Sequence, residues 1–396
     1  MRERRHLVLF DPYDWKTHDD PYPVYRALRD EAPVYHHPEL DFWALSRHED
    51  VLAAFRDPER FSNAEGVALE GQVENAAAVM SFLAMDPPRH TRFRGLVSAG
   101  FSPRRVANLE PEIRALATRY IDAFAEAGRC DLIQDFAGRL PMDVVSEMMG
   151  VPAEDRDTLR GWADAVVHRE EGRPEVPAAG MQAAANLLRY FGTLVPERRG
   201  RPGADLTSAL IAAEVDGDHL DDKDIMAFLF LMIIAGNETT TKWLGNAFYW
   251  LARNPAERER VRRDPSLIPA WAEETLRFDP SSQLLARTTR CEVELHGRRI
   301  PAGARVALLI GSANRDERAF PDPDVFDVTR NTTASLAFGQ GTHFCLGASL
   351  ARLEARVALE EIHRRMFDYE IDEGGLVRIH SSNVRGFASM PVEFGT

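Results

Sequence analysis

Leu336-Ala-Phe-Gly-Gln-Gly-Thr-His-Phe-Cys345-Leu-Gly-Ala-Ser-Leu-Ala-Arg352 sets one cysteine at the end of a glycine-rich loop, directly before an amphipathic helical pattern. Gly339, Gly341 and Gly347 let the backbone approach something flat and large without a Cβ clash. The amides opening the following helix point back at the sulfur, which favours a thiolate. A lone thiolate held this way can serve as an axial ligand to haem iron. Other chemistries fit the stretch less well. A dinucleotide loop needs G-x-G-x-x-G, and the third position is Phe344. A zinc site needs partner ligands, and the chain contains no C-x-x-C. Gly347-Ala-Ser349-Leu-Ala is a degraded nucleophile elbow with no strand run leading into it. A purely structural cysteine does not account for the glycines and His343 around it.

The chain has 396 residues, enough for a large core, and shows no linker, repeat or low-complexity tract. One large domain over residues 1–396 is expected. Cys130, Cys291 and Cys345 are too scattered for a disulfide framework, which points to a reducing, cytoplasmic setting. The N-terminus carries no signal-peptide core, so no membrane anchor is expected. The longest charge-free apolar run, Ile225 to Ala235, is far shorter than the ~20 residues that span a bilayer. A net charge of −14 argues against nucleic-acid binding.

Helical periodicity dominates. It predicts helices over 20–31, 48–56, 88–99, 111–127, 141–150, 154–169, 178–196, 205–214, 221–253, 255–263, 267–277 and 348–366. Strands are expected at 34–36, 42–46, 290–295, 305–310 and within 376–394, while 62–85 reads as a long loop. The proline-free segment Asp221 to Arg253 makes a rod of ~50 Å, enough to cross the molecule. The expected class is mainly α, an α-rich α+β fold. Within the rod, Ala235-Gly236-Asn237-Glu238-Thr239-Thr240 combines a glycine and two hydroxyls that are locally poor helix choices and can bend a helix.

Phe338-Gly339-x-Gly341-x-His343-x-Cys345-x-Gly347 resembles the haem-binding signature of the cytochrome P450 family. Ala235 to Thr240 resembles that family's oxygen-activation motif, with Glu238 at the acid position and Thr239 at the alcohol position. Glu274-Thr-Leu-Arg277 resembles its structural E-x-x-R pair, and the stretches Ala313–Asp316 and Phe320–Phe326 match the segment that follows. The likeness runs from Asp20 to about Pro391 and is to soluble bacterial members. It implies a long central helix over haem b, with small β-sheets. Cys345 becomes the iron ligand, with Phe338 and Gly347 part of the haem-binding loop. His90, Arg94, Arg287 and His343 become propionate contacts, suited to two carboxylates that an apolar pocket must neutralise.

The resemblance implies a monooxygenase acting on a C–H bond of a hydrophobic small molecule of steroid, terpenoid or polyketide type. The pocket is expected to include Phe82, Leu83, Leu231, Ile234, Ala235, Gln283, Leu285 and Val384, with Gln283 and Asn383 as polar handles. Oxygen is expected beside the gap left by Ala235 and Gly236. The implied partners are O2, the substrate, and a ferredoxin with its NAD(P)H-dependent reductase. The ferredoxin would dock near Arg92, Arg104, Arg105, Arg352 and Arg356. A monomer is expected. A peroxide-using peroxygenase has no need of the Glu238–Thr239 pair, and a haem-binding sensor would not turn over substrate. A di-iron carboxylate protein needs two E-x-x-H motifs, and only Glu360-Glu-Ile-His363 is present.

Overall fold

The computed structural model describes residues 8–395 except 71–73, 169, 171–172, 174 and 216. Its main helices are α1 (Tyr22–Glu31), α2 (His48–Arg56), α3 (Arg89–Ser98), α4 (Glu110–Ala125) and α5 (Leu140–Met149). They continue as α6 (Arg156–Val167), α7 (Ala178–Gly200), α8 (Asp222–Arg253), α9 (Ile268–Phe278) and α10 (Ala348–Met366). Most bounds fall within a few residues of those expected from periodicity. α7 departs: it runs through Pro196 and ends four residues later, at Gly200. Its last turn is pinned from outside, because Arg198 donates to the Gly150 carbonyl and to Asp205 at 2.9 Å. No described helix is long and apolar enough to cross a membrane.

α8 is capped at both ends. The Asp221 carboxylate accepts from the Asp224 amide at 2.8 Å, Asp222 and Asp224 lie in the first turn, and Arg253 lies in the last. The helix is buried along most of its length, with Phe228, Ile233, Trp243, Leu244 and Phe248 in the helical core.

The largest sheet has five strands in the order β1 (Val34–His37), β2 (Phe42–Leu45), β5 (Arg305–Leu309), β4 (Leu284–Thr289), β3 (Phe61–Ser62). β5 runs parallel to β2 and antiparallel to β4, with Arg305 opposite Phe42 and Thr288. Trp43, Val306 and Leu308 face one side with Phe55 and Leu336, while Phe42, Ala307 and Leu309 face the other with Phe10 and Tyr25. This double burial explains a departure from expectation. β4 replaces the strand expected over 290–295, because a strand covered on both faces shows no apolar–polar alternation. Only Val293–Leu295 of the expected stretch is strand, in a small hairpin with Arg298–Ile300. The expected loop 62–85 also contains a helical turn, Ala77–Met80, and a 3-10 turn, Ser81–Ala84. One turn is too short to register as a period.

Between β5 and α10 the chain is held by a buried ion pair. Glu274 and Arg277 on α9 are both 0% exposed. Arg277 meets the carboxylate with two donors, at 2.8 and 2.7 Å. It also donates to the carbonyls of Asn314, Pro323 and Val325 at 3.0, 2.8 and 3.2 Å. Glu274 in turn accepts from the Asp327 amide at 3.0 Å and from Arg330 at 3.3 Å. Asn314 passes the constraint on, accepting from the Leu336 amide at 2.8 Å. Leu336 opens the cysteine stretch. Glu274→Gln leaves the Arg277 guanidinium buried without its counter-charge, and breaking such a pair costs about 3–5 kcal/mol. Urea unfolding of the haem-loaded protein should therefore show a clearly lower midpoint. A midpoint matching the wild type would mean the pair carries no such load.

Candidate active site

The cysteine loop is built from backbone that only glycine adopts easily. Gly339 and Gly341 have φ of 67° and 71°. A Cβ on Gly341 would lie 2.6 Å from the Phe55 carbonyl oxygen, so α2 is packed directly against the loop. The Cys345 amide donates to the Phe338 carbonyl at 2.9 Å and closes it. Gly347 differs, since no atom lies within 4 Å of where its Cβ would stand. The amides of Gly347 and Ala348 point at the Cys345 sulfur as expected, and Arg94 and Arg352 add positive field. Burial nevertheless outweighs them and pushes the thiol above its ordinary value. The amides alone do not secure a thiolate; a bound metal cation would supply the remaining charge.

Four expected side chains converge beside this loop. The rings of His90 and His343 are 4.0 Å apart. Among the described residues no nitrogen of either ring meets a partner in good hydrogen-bond geometry, although all four are shielded from solvent, and the Met85 backbone lies beside the His343 ring. Burial drives both pKa values down, to about 4 for His90 and about 2 for His343, and Arg94 and Arg287 press in the same direction. Arg287 is 2% exposed, and its guanidinium bonds its own strand's Ala286 carbonyl and stacks on Phe55. Burial lowers its pKa to about 10. Arg94 stands on α3, four residues after His90. It donates to the Thr342 and Phe344 carbonyls at 3.2 and 2.6 Å, clamping the cysteine loop onto α3.

α8 passes alongside: the Phe338 ring meets Trp243 edge-on at 5.9 Å. Leu231, Ile234, Ala235 and Thr239 form a stripe of α8 that stays accessible between the buried Ile233, Asn237, Glu238 and Thr240. Thr239 donates to the Ala235 carbonyl at 2.7 Å, which leaves its oxygen lone pairs toward the stripe. Glu238 lies ~100° around the helix and is 1% exposed. The Asn237 amide donates to it at 3.1 Å, and the Lys242 ammonium stands 3.5 Å away. Gly236 does not form the expected oxygen gap. Its missing Cβ would come within 3.0 Å of Val145, so the glycine serves the packing of α8 on α5. Lys242 escaped the sequence reading, although the i,i+4 spacing from Glu238 was there to be seen.

The apolar pocket set divides. Phe82 packs between His90, Phe93 and Phe228, and Leu83 follows it, half-buried. Leu285 shares the face of β4 that carries Arg287 and packs toward Phe55 and Phe61. Gln283 is engaged through its amide nitrogen, while its buried Oε1 has no hydrogen-bond partner among the described residues. Its amide donates to the Pro280 carbonyl at 2.8 Å and reaches the Tyr22 hydroxyl at 3.5 Å. Gln283 and Val384 line a small cavity with Phe10, His18, Tyr25 and Arg385, none of them on α8. Asn383 is likewise engaged, accepting from the Ser381 hydroxyl at 3.0 Å. The di-iron alternative finds no support: Glu360 and Glu361 are paired with Arg114, Arg356 and Arg364. Among the described residues the one group of potential metal ligands within reach of each other is Glu49, Asp50 and His296, without Cys345.

Residues 193–394 match the family model Cytochrome P450. The chain is 54% identical over 388 residues to the cytochrome P450 123 protein of Mycobacterium tuberculosis, covering 97% of this chain and 96% of that one. This chain is a cytochrome P450. It is also 38% identical over 396 residues to the vitamin D(3) 25-hydroxylase of Pseudonocardia autotrophica, covering 98% and 96% of the two chains. The structure of CYP109E1 from Bacillus megaterium in complex with testosterone superposes with a TM-score of 0.90 at 32% identity, over 96% and 99% of the two chains. Cytochromes P450 are monooxygenases that hold haem b through a cysteine thiolate.

The residues present fit that cofactor. Two shielded histidines without a well-placed partner among the described residues, and a buried arginine bonded only to its own backbone, would satisfy two propionate carboxylates. Removing one charge-assisted hydrogen bond of this kind costs roughly 1.5–3 kcal/mol, or about tenfold to hundredfold in an equilibrium. Arg287→Ala and His343→Phe should accordingly release haem to an apo-globin acceptor at least about tenfold faster than wild type. Wild-type release rates in both variants would remove these residues from the cofactor's shell.

Proposed function

We propose that residues 1–396 act as one haem-thiolate monooxygenase domain, with Cys345 as the iron ligand. The enzyme inserts one oxygen atom from O2 into a C–H bond of a hydrophobic small molecule. The observation that carries this reading is the convergence beside Cys345 of His90, Arg287 and His343, with Arg94 clamping the loop and Thr239 on the neighbouring stripe of α8. The haem, when bound, supplies the oxygen activation and the hydrogen abstraction. The chain's residues do the rest. Gly339 and Gly341 bring the backbone close, and Gly347 leaves the approach to the sulfur free of a Cβ. The apolar side chains Phe82, Leu83, Leu231, Ile234, Ala235 and Leu285 exclude water and orient the substrate by shape. Thr239, its own hydrogen spent on Ala235, accepts a hydrogen bond from the oxygen side, and Glu238 holds the proton to be delivered.

The substrate class we infer is neutral and polycyclic or macrocyclic, of steroid, terpenoid or polyketide type. Support comes from the apolar character of that set and from relatives named for vitamin D(3) hydroxylation and bound to testosterone. Electrons are inferred to come from a ferredoxin and its NAD(P)H-dependent reductase, in the cytoplasm, with the enzyme acting as a monomer. The docking patch narrows to Arg104 and Arg105, which are exposed and make no ion pair among the described residues. Arg92, Arg352 and Arg356 are neutralised by Asp218, Glu273, Glu110 and Glu360.

Three measurements test the reading. The reduced carbon monoxide complex should show the long-wavelength band of thiolate ligation. Cys345→Ala should lose that band and Cys130→Ala and Cys291→Ala should keep it; a histidine-type spectrum in folded wild type would refute Cys345. Thr239→Ala should keep haem and still consume NADH but release peroxide in place of product, whereas Thr240→Ala, buried on another side of α8, should change coupling far less. Reduction by ferredoxin should slow as salt rises and slow again in the double variant Arg104→Glu/Arg105→Glu. A reduction rate indifferent to both would move the docking site elsewhere.

A further inference from the structure

The C-terminal end of α2 meets the cysteine loop through one residue, Phe55. Its side chain is 4% exposed and belongs to the sheet-side core with Trp43, Val51, Phe61, Leu308 and Leu336. Leu336 opens the cysteine stretch. The Phe55 backbone closes on the same stretch, since a Cβ on Gly341 would lie 2.6 Å from its carbonyl oxygen. A Cβ on Gly339 would rest 3.8 Å from the edge of the Phe55 ring. The next residue, Arg56, donates to the Gln340 side chain at 3.5 Å. Ring and backbone of Phe55 are therefore both fixed relative to the loop that carries Cys345.

The face of that ring carries a charge. The Arg287 guanidinium lies over it, 5.3 Å from the centroid. Arg287 is buried, and little else holds it. One nitrogen donates to the Ala286 carbonyl at 2.8 Å, which leaves most of the guanidinium's five N–H donors unused. It makes no ion pair among the described residues. The acid that acts on it, Asp86, is already engaged by the Asn63 amide at 2.9 Å and by Arg290 at 3.2 Å. Arg305 on β5 is a second cation nearby, and its own donors go to the carbonyls of Gly66 and Ala68 and to the Thr288 hydroxyl. A buried cation without a counter-ion is costly. An aromatic face attracts such a cation, most strongly where water is excluded. An aliphatic side chain would fill the same space without that attraction.

We propose that Phe55 is a positioning residue for the cofactor: its ring face holds the Arg287 guanidinium in the orientation from which it would meet a haem propionate. The proposal rests on the haem-thiolate reading above, in which Arg287 belongs to the propionate shell. Phe55 acts through Arg287 and is assigned no contact with iron or substrate. One residue thus governs two placements. Its backbone seats the loop that delivers the sulfur, and its ring seats the cation that anchors the carboxylates. Because both belong to one residue on a helix, sulfur and cation are set relative to each other before haem binds, which lowers the cost of ordering them on binding.

The test replaces Phe55 in the haem-loaded enzyme by phenylalanines carrying one, two and three ring fluorines. These weaken the negative ring face in steps while hardly changing its size, so the packing is kept. Haem transfer to an apo-globin acceptor should quicken at each step, to about twofold to thirtyfold in total, the range of a cation–π contact. In an Arg287→Ala background the same series should be flat, because the cation is gone. The band of the reduced carbon monoxide complex, which reads the sulfur, should stay in place throughout. A Phe55 that merely fills space would give equal release rates along the series, and that result overturns the proposal. So does a series that rises equally with Arg287→Ala in place, or a carbon monoxide band that shifts along it, since the ring would then act through another group. If the series is flat while Arg287→Ala alone still releases haem faster, only the role of Phe55 falls. If Arg287→Ala is silent as well, the propionate assignment of Arg287 falls with it.

Discussion

The buried pair of Glu274 and Arg277 is the constraint on which the cysteine site depends. An ion pair at this spacing on a solvated helix is worth ~0.2–1 kcal/mol. Here both partners are fully buried, and their desolvation costs several kcal/mol per ion. Burial alone pushes the Arg277 pKa down, and Glu274 pulls it back. The remaining cost is offset only because every donor finds a partner. Three of those partners are carbonyls at Asn314, Pro323 and Val325, and a fourth tie runs from the Asp327 amide to Glu274. The pair thus fixes three irregular segments that have no ladder of their own. Through Asn314 it sets where Leu336 begins, and with it where the loop delivers Cys345.

α8 meets two demands with residues that differ by position around one cylinder. Its core face packs Phe228, Trp243 and Phe248, and Gly236 lets α5 approach. A second stripe, Leu231, Ile234, Ala235 and Thr239, stays accessible. Adjacent residues diverge by ~100°, so Glu238 and Thr239 have different neighbours. The acid is buried beside Lys242 and the alcohol lies on the accessible stripe. Burial raises the carboxyl's pKa, and Lys242 opposes it.

Most of this was legible in the sequence where local chemistry decided the outcome. Long periodic helices, the hairpin at Val34–Leu45 and the cysteine loop followed from period and glycine placement. The failures share a cause. β4 shows no alternation because both faces are buried, and the turn at Ala77–Met80 is shorter than a period. α7 passes Pro196 because Arg198 anchors its end from a distance. The contacts of the Gln283 amide nitrogen with the Pro280 carbonyl and the Tyr22 hydroxyl were not legible either, the latter lying far away in sequence. The meaning of Glu274 and Arg277 was also invisible locally; only the family resemblance separated them from a surface pair.

On the proposed reading, electrons must be metered into the site from outside. Arg104 and Arg105 stand on the short helix Pro103–Ala107, which borders a groove shared with Trp243, Glu273, Arg352 and Arg356 beside α9 and α10. The basic patch is deliberately weak in net terms, because Arg352 and Arg356 spend their charge on Glu273, Glu110 and Glu360. Two unpaired arginines on a chain of net charge −14 steer an acidic partner without holding it. A carrier that must dock twice per turnover, once for each electron, gains from fast departure as well as fast arrival.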